Sequence, residues 1–281
     1  MSLGTDLAPW LHRWGLTLDG PPPIQRYEGA TATGLVAFVR RGETRLVLKL
    51  TPAAGDEANL AATLAHWGGV GSVRLAEAAP GAVLMERAIP GDDLEALLRR
   101  QGDASATATA AEVMAKLRRP APANGPFRTI ADWGEGFARV RLRAIAAGFD
   151  ADLIDHARQV FGELLASQDA PVLLHGDLHH ENVVRDANRG WLSIDPKGVL
   201  GEPAYETGSL LRNPRDSSLC AAPEIIAQRA DILGPRLGYA RERILGWCFA
   251  QWVLACLWAI EDGIAFHPDW LTGPRAAESL L

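Results

Sequence analysis

The segment His175-Gly176-Asp177-Leu178-His179-His180-Glu181-Asn182 carries the spacing H-x-D-x-x-x-x-N. In that arrangement an aspartate meets a substrate hydroxyl and an asparagine amide holds Mg²⁺. Thirteen residues further on (195 − 182) stands Asp195, directly after the apolar run Trp191-Leu192-Ser193-Ile194, where a strand would deliver a second metal-binding carboxylate. Phosphoryl transfer is mostly positioning and charge neutralisation, so it needs hard oxygen ligands for the metal and one free carboxylate aimed at the nucleophile. The expected roles are base for Asp177 and Mg²⁺ ligands for Asn182 and Asp195.

Such chemistry also needs a cation for the phosphates of ATP. Lys49 ends the run Leu46-Val47-Leu48-Lys49, and Glu57, eight residues on, opens the next expected helix and is placed to pin it. The helix dipole alone would also favour an acid there. Gly29-Ala30-Thr31-Ala32-Thr33-Gly34 contains two glycines, Gly29 and Gly34, but neither G-x-G-x-x-G nor G-K-[ST]; it reads as a turn as readily as a phosphate loop. Two rival readings stand beside this one. A metal-dependent phosphohydrolase would use His175, Asp177, His179 and His180, yet no H-E-x-x-H or helical histidine pair is present, and His12, His66, His156 and His267 are scattered. A nucleotide-binding homologue without catalysis would not need base, both metal ligands and lysine together.

The elements that must position these residues are legible as patterns. Leu35 to Leu50 reads as a hairpin turning at Arg41-Gly42-Glu43, Asp56 to Trp67 as a helix closed by Gly68-Gly69, and Ser72 to Glu77 with Ala82 to Glu86 as a strand pair. After Ile89-Pro90-Gly91, Ala- and Leu-rich helical stretches run to about Ser167, interrupted by a loop at Pro120 to Pro126. Strand character returns from Pro171, with a turn at Asn188-Arg189-Gly190. The expected domains are an N-terminal nucleotide-binding lobe (1–86), a hinge (87–91) and a helical C-terminal lobe (92–281).

Composition narrows the class. With 281 residues, 48% of them apolar and 22% charged, disorder, collagen and coiled coil are excluded. A net charge of 28 − 34 = −6 offers no basic excess for nucleic acid and suits a small or cationic ligand. Three cysteines without a C-x-x-C pair indicate neither a disulfide framework nor zinc, so a reducing, cytoplasmic setting is expected. The N-terminus shows no secretory signal. Ile244 to Ile260, 17 residues with Gln251 as the strongly polar exception, reads as a core helix rather than a membrane span. Neither a membrane nor a protein partner is indicated.

Val172 to Pro214, VLLHGDLHHENVVRDANRGWLSIDPKGVLGEPAYETGSLLRNP, resembles the signature region of the aminoglycoside/hydroxyurea antibiotic-resistance kinases, the group that includes streptomycin 6-kinases. The resemblance extends more loosely from Tyr27-Glu28-Gly29 to the C-terminal helices. It implies an α+β, protein-kinase-like fold of two lobes, a small antiparallel sheet and a larger helical body. It also implies transfer of the γ-phosphate of ATP, with Mg²⁺, to a hydroxyl of a small molecule, an aminoglycoside such as streptomycin, in antibiotic resistance. Carried onto this chain, Lys49 and Glu57 form the phosphate-holding pair. The backbone of Glu86 and Ala88 meets adenine, with Met85 packed behind. Lys197 belongs to the motif without an assigned role. Gly176 replaces the arginine of H-R-D and no A-P-E follows, so a phosphorylation-read activation loop is not expected. For a cationic acceptor, Glu202, Glu206, Asp216, Glu261 and Asp262 are the candidate contacts, and Trp247, Trp252, Trp258 and Trp270 the candidate stacking surfaces.

Overall fold

The computed structural model describes residues 6–21, 24–28, 31–51, 56–214 and 219–281. Its N-terminal sheet is built by alternation. Strands β1 (Thr17–Leu18), β2 (Ile24–Glu28), β3 (Thr31–Arg41), β4 (Thr44–Leu50), β5 (Leu75–Ala79) and β6 (Ala82–Glu86) pair antiparallel in the order β1-β3-β4-β6-β5, with β2 also on β3. Leu35, Ala37 and Val39 of β3 and Leu46, Leu48 and Leu50 of β4 are buried beside Trp14 of helix α1 (Ala8–Trp14). Because successive side chains alternate faces, Val47 and Lys49 point the other way, level with Met85 and Val83 of β6. The expected hairpin turns on Gly42-Glu43, where Gly42 has φ +56°, as a two-residue connection requires. The expected helix from Asp56 begins as a 3₁₀ turn (Asp56–Asn59) and continues as α2 (Leu60–Trp67), ended by Gly68 in the left-handed region.

Arg87–Ile89 lead away from this sheet. The next strand, β7 (Pro90–Asp93), pairs with β10 (Val183–Asp186), which pairs with β11 (Gly190–Ser193). The chain thus changes lobe within 87–89, and Pro90 and Gly91, expected in the hinge, begin the larger lobe's own sheet. A second small sheet joins β8 (Arg128–Thr129), β12 (Val199–Gly201) and β9 (Val172–Leu174). Around these lie α3 (Leu94–Gln101), α4 (Asp103–Leu117), α5 (Ile130–Gly134), α6 (Gly136–Ala146), α7 (Ala151–Ala166), α8 (Thr207–Leu211), α9 (Pro223–Leu237), α10 (Arg241–Glu261) and α11 (Thr272–Glu278). Helix α10 contains the apolar segment Ile244 to Ile260. It packs against α6, α7, α8, α9 and α11, and 72% of its apolar window is buried, which is the behaviour of a core helix apolar on most faces.

Two arginines stitch the molecule together. Arg189, in the β10–β11 turn, pairs with Glu86 at the end of β6 and donates to the carbonyls of Gly69 and Ser72 (3.2 Å for the latter). It ties the larger lobe to the N-terminal sheet beside the crossover. Arg229 of α9 is fully buried. Its Nε and Nη2 hold both oxygens of Asp103 at 2.6–3.1 Å. Its Nη1 donates to the carbonyls of Leu210 (3.1 Å), Leu211 (3.2 Å) and Asn213 (2.6 Å), satisfying the end of α8, where helical carbonyls lack partners. Removing one member of a buried pair strands the other charge, at a cost of about 3–5 kcal/mol. Arg229→Ala should therefore lose about that much stability by denaturant unfolding; an unchanged midpoint would contradict the role given to this pair.

Candidate active site

The strand pair β10–β11 presents both ends of the expected metal-binding set. Asn182 precedes β10 and its carbonyl accepts from the Ile194 N–H (2.9 Å) after β11, so Asn182 and Asp195 are held side by side by one ladder. The Asn182 Nδ2 lies 2.9 Å from the Asp177 carbonyl and 3.2 Å from His179 Nε2, which turns its amide oxygen the other way. Asp195 has φ +60°, the one described non-glycine residue in the left-handed region. That conformation costs of order 1–3 kcal/mol and persists where surrounding structure imposes it. Here it brings the Asp195 carboxylate against the Lys49 ammonium. Lys49 is 3% exposed, and a Cβ at Gly34 would lie 3.0 Å from its Cε. Gly34 therefore serves in β3 by letting the lysine stem lie close.

Asp177 sits on a loop held from below. The buried Glu206 carboxylate accepts from the His175 N–H (2.6 Å) and the Gly176 N–H (3.0 Å). Burial pushes Glu206 up to about 7, against the lowering effect of these backbone donors. Gly176 has φ +82°, and a Cβ there would lie 2.6 Å from the Trp133 ring, so the arginine of H-R-D could not stand at this position. His175 is buried and its ring is committed: Nε2 faces the Ile194 carbonyl at 2.8 Å while Nδ1 accepts from the Asp177 N–H at 3.3 Å. Burial pushes it down to about 4, so it is neutral.

The Asp177 carboxylate is 30% exposed, and its Oδ1 accepts from Ser209 Oγ (2.9 Å) and lies 3.5 Å from Arg212 Nη2; its Oδ2 is 3.7 Å from His179 Nε2. Burial pushes its pKa up, but the charges of His179, Arg212 and Lys197 and the Ser209 hydrogen bond outweigh this and hold it well below the usual carboxylate range. The positive field on Asp177 supplies a role for Lys197 that its spacing did not. Ser209 and Arg212 were not anticipated. Their one sequence signal is the pairing of polar residues at i and i+3 near the end of an otherwise apolar α8.

Other expected residues are placed differently. Glu202 is fully buried and its oxygens are taken by Arg243 Nε (2.8 and 3.0 Å), the Asp169 N–H (3.2 Å) and the Trp247 indole. Glu202 and Glu206 are thus turned inward and hold the fold, which corrects the expectation of acceptor contacts at these two positions. Glu261 forms a two-pronged pair with Arg139 (2.6 and 2.9 Å), and Asp262 is exposed just past α10. Trp247 is fully buried. Met85 is buried in β6, Glu86 is paired with Arg189, and Ala88 is half-buried in the crossover. Gly29, Asp216 and the Glu57 side chain lie outside the described residues. The phosphohydrolase reading fails on its histidines. His175 is committed, His180 is buried and pushed down to about 3 by burial first and then by Arg229, and among the described residues no three His, Cys, Asp or Glu side chains converge to hold a metal.

The family model for aminoglycoside/hydroxyurea antibiotic resistance kinases matches residues 14–263. The chain is 32% identical over 260 residues to a streptomycin 3''-kinase of Klebsiella pneumoniae, covering 90% of this chain and 92% of that one. It is 32% identical over 267 residues to a hydroxyurea phosphotransferase of Kitasatospora aureofaciens, covering 94% and 75%. An aminoglycoside phosphotransferase crystallised with ADP and hygromycin B superposes with a TM-score of 0.59 at 14% identity, covering 97% of each chain. A kinase-type loop, a lysine brought to the aspartate beside that loop and a match over most of the length agree: the chain belongs to the aminoglycoside/hydroxyurea antibiotic resistance kinase family and is a small-molecule kinase of the protein-kinase-like fold.

Proposed function

We propose that this chain transfers the γ-phosphate of ATP to a hydroxyl of a small molecule, with Asp177 as the group that receives the hydroxyl. The observation that carries the reading is the contact of Lys49, from the N-terminal sheet, with Asp195, held beside the Asp177–Asn182 loop. It supports a site in which Lys49 serves as the phosphate-binding cation, Asn182 and Asp195 as the oxygen ligands and Asp177 as the acceptor-side carboxylate. The donor set fits Mg²⁺, which takes a few protein oxygens and completes its shell with water and phosphate: the Asn182 amide oxygen and the Asp195 carboxylate would hold it. When bound, Mg²⁺ would supply charge neutralisation for the phosphates of ATP.

The reaction is an in-line displacement. The acceptor oxygen forms a bond to the γ-phosphorus as the bond to the β–γ bridging oxygen breaks; ADP leaves and the hydroxyl proton passes to Asp177. A carboxylate held below its usual range is a weak base. Asp177 therefore orients the hydroxyl early and takes the proton late, once bonding to phosphorus has acidified it. Ser209 and Arg212 hold Oδ1, and with it the direction of the carboxylate. Lys49 neutralises the phosphates. The relatives' names make streptomycin and hydroxyurea the acceptors to offer first, and the reducing interior of the cell is the compartment that supplies ATP and suits Cys220, Cys248 and Cys256 as thiols outside any disulfide.

Three measurements test this reading. Asp177→Ala should lower kcat by at least about a thousandfold while Mg·ATP binding, read by calorimetry, survives; ordinary turnover would remove Asp177 from its role. Asp195→Ala should lose metal-dependent nucleotide binding, and a variant that binds Mg·ATP as before would refute the ligand assignment. Glu206 is raised from 4.5 to about 7 on folding. A raised folded pKa contributes stability that is full below pH 4.5 and is lost as pH rises through about 7. The melting temperature of the wild type should therefore fall relative to that of Glu206→Gln across this interval. A pH-independent difference between the two would show that Glu206 does not titrate there.

A further inference from the structure

The passage from Glu86 to Ile89, where the chain changes lobe, is pinned on both sides of Ala88. The Glu86 N–H donates to the Arg74 carbonyl (2.9 Å), and its carboxylate is held by Arg189. The Ile89 N–H donates to Asp186 Oδ2 (3.1 Å), and the Ile89 carbonyl accepts from the Ala187 N–H (2.7 Å). Between them Arg87 turns back over the N-terminal sheet. Its Nη1 donates to the Asp19 carbonyl (2.9 Å) and lies 3.3 Å from Asp19 Oδ2. Its guanidinium carbon stands 3.9 Å from the centre of the Phe38 ring, well within the range of a cation–π contact. Ala88 is left over. Its N–H and carbonyl have no partner among the described residues.

Phe38 is itself fixed. It pairs across the ladder with Val47, so both point to the face of the sheet that carries Lys49. The Asp19 N–H donates to the Phe38 carbonyl (2.9 Å), and a Cβ at Gly20 would lie 3.0 Å from Phe38 Cδ2. The main chain at 19–20 therefore presses on the edge of the ring whose face Arg87 covers. Asp19 also meets Arg40 and Arg45, each through Nε at 3.6 Å. One carboxylate gathers three guanidiniums, and of these Arg87 is the one that belongs to the crossover. The side chains of Arg87 and Asp19 are 22% and 23% exposed, so solvent screens their contact less than it screens a surface pair.

We propose that Asp19, Arg87 and Phe38 act together as positioning residues for the nucleotide base: they hold the crossover so that the main chain of Ala88 presents its free hydrogen-bonding edge to adenine. The peptide joining Arg87 to Ala88 is planar, so restraining Arg87 restrains the direction of the Ala88 N–H. Adenine offers an acceptor at N1 where guanine carries an N–H. A donor that cannot move tells the two apart, because the wrong base would leave donor facing donor. A crossover free to swing would accept either. The inference rests on the phosphotransfer reading and adds to it the means by which the base is chosen.

The test measures binding of Mg·ATP and Mg·GTP to the full chain by calorimetry, for wild type, Arg87→Ala, Arg87→Lys, Phe38→Leu and Arg45→Ala. Wild type should bind Mg·ATP at least about tenfold more tightly than Mg·GTP. Arg87→Ala should weaken Mg·ATP by roughly tenfold and Mg·GTP much less, so that the preference collapses. Phe38→Leu, which keeps an apolar side chain and loses the ring face, should move the same way by a smaller factor. Arg87→Lys keeps a cation over the ring and should stay within about threefold of wild type. Arg45→Ala removes a partner of the same carboxylate without touching the crossover and should keep both affinities. Damage to the fold would weaken both nucleotides alike. Undiminished Mg·ATP affinity in Arg87→Ala, equal weakening of the two nucleotides, the same loss in Arg45→Ala, or a wild type that binds both equally would each overturn the proposal while leaving nucleotide binding in place. A wild type that binds neither would instead overturn the phosphotransfer reading, and this inference with it.

Discussion

A carboxylate buried beneath a loop is the constraint on which the site depends. Glu206 gathers the backbone N–H groups of His175 and Gly176, fixing the direction in which the next residue, Asp177, leaves the chain. Buried donors demand partners, so the loop cannot relax without stranding either the N–H groups or the glutamate. From this anchor the rest follows in contact. His175 joins the loop to the Ile194 carbonyl, Ile194 joins Asn182 through the strand ladder, and the next residue is Asp195. One acid that touches no substrate thereby sets the geometry of the three groups given the chemistry.

The two lobes meet through a shared apolar core and through charge. The sheet residues around Leu48 pack with α1 as one cluster, while Val83 and Met85 on the opposite face belong to the larger cluster that contains α10. Across this division run the Lys49–Asp195 and Arg189–Glu86 pairs. Paired charges between apolar layers are costly unless their geometry is well satisfied, and they resist sliding because a small displacement breaks them. Lys49 is in this way registered against the loop that carries Asp177 and Asn182.

The Asp177 side chain is held from the larger lobe alone. Ser209 and Arg212 reach Asp177 from the end of α8, whose terminal carbonyls are held by the buried Arg229–Asp103 pair. Beyond Arg212 the surface is an apolar stripe of α10 and two fixed indoles.

The sequence by itself determined the polar loop that carries Asp177 and Asn182, the strand end that carries Asp195 and the strand that carries Lys49. Asp177, Asn182, Asp195 and Lys49 are bound to local patterns: a short polar loop after a strand, a carboxylate at a strand end, and an alternation that puts Lys49 on the face opposite Leu48 and Leu50. Local pattern also identified Ile244 to Ile260 as core. Tertiary structure decided what each acid faces. Glu202, Glu206 and Glu261 read alike in sequence as possible acceptor contacts, yet one meets Arg243 and Trp247, one meets backbone N–H groups, and one meets Arg139. The partner that settles each role lies 30 to 122 residues away along the chain. Ser209 and Arg212 became visible for the same reason. A hydrogen bond or an ion pair is specified by proximity in space, and no spacing in a single sequence records which distant side chains the fold will bring within 3 Å.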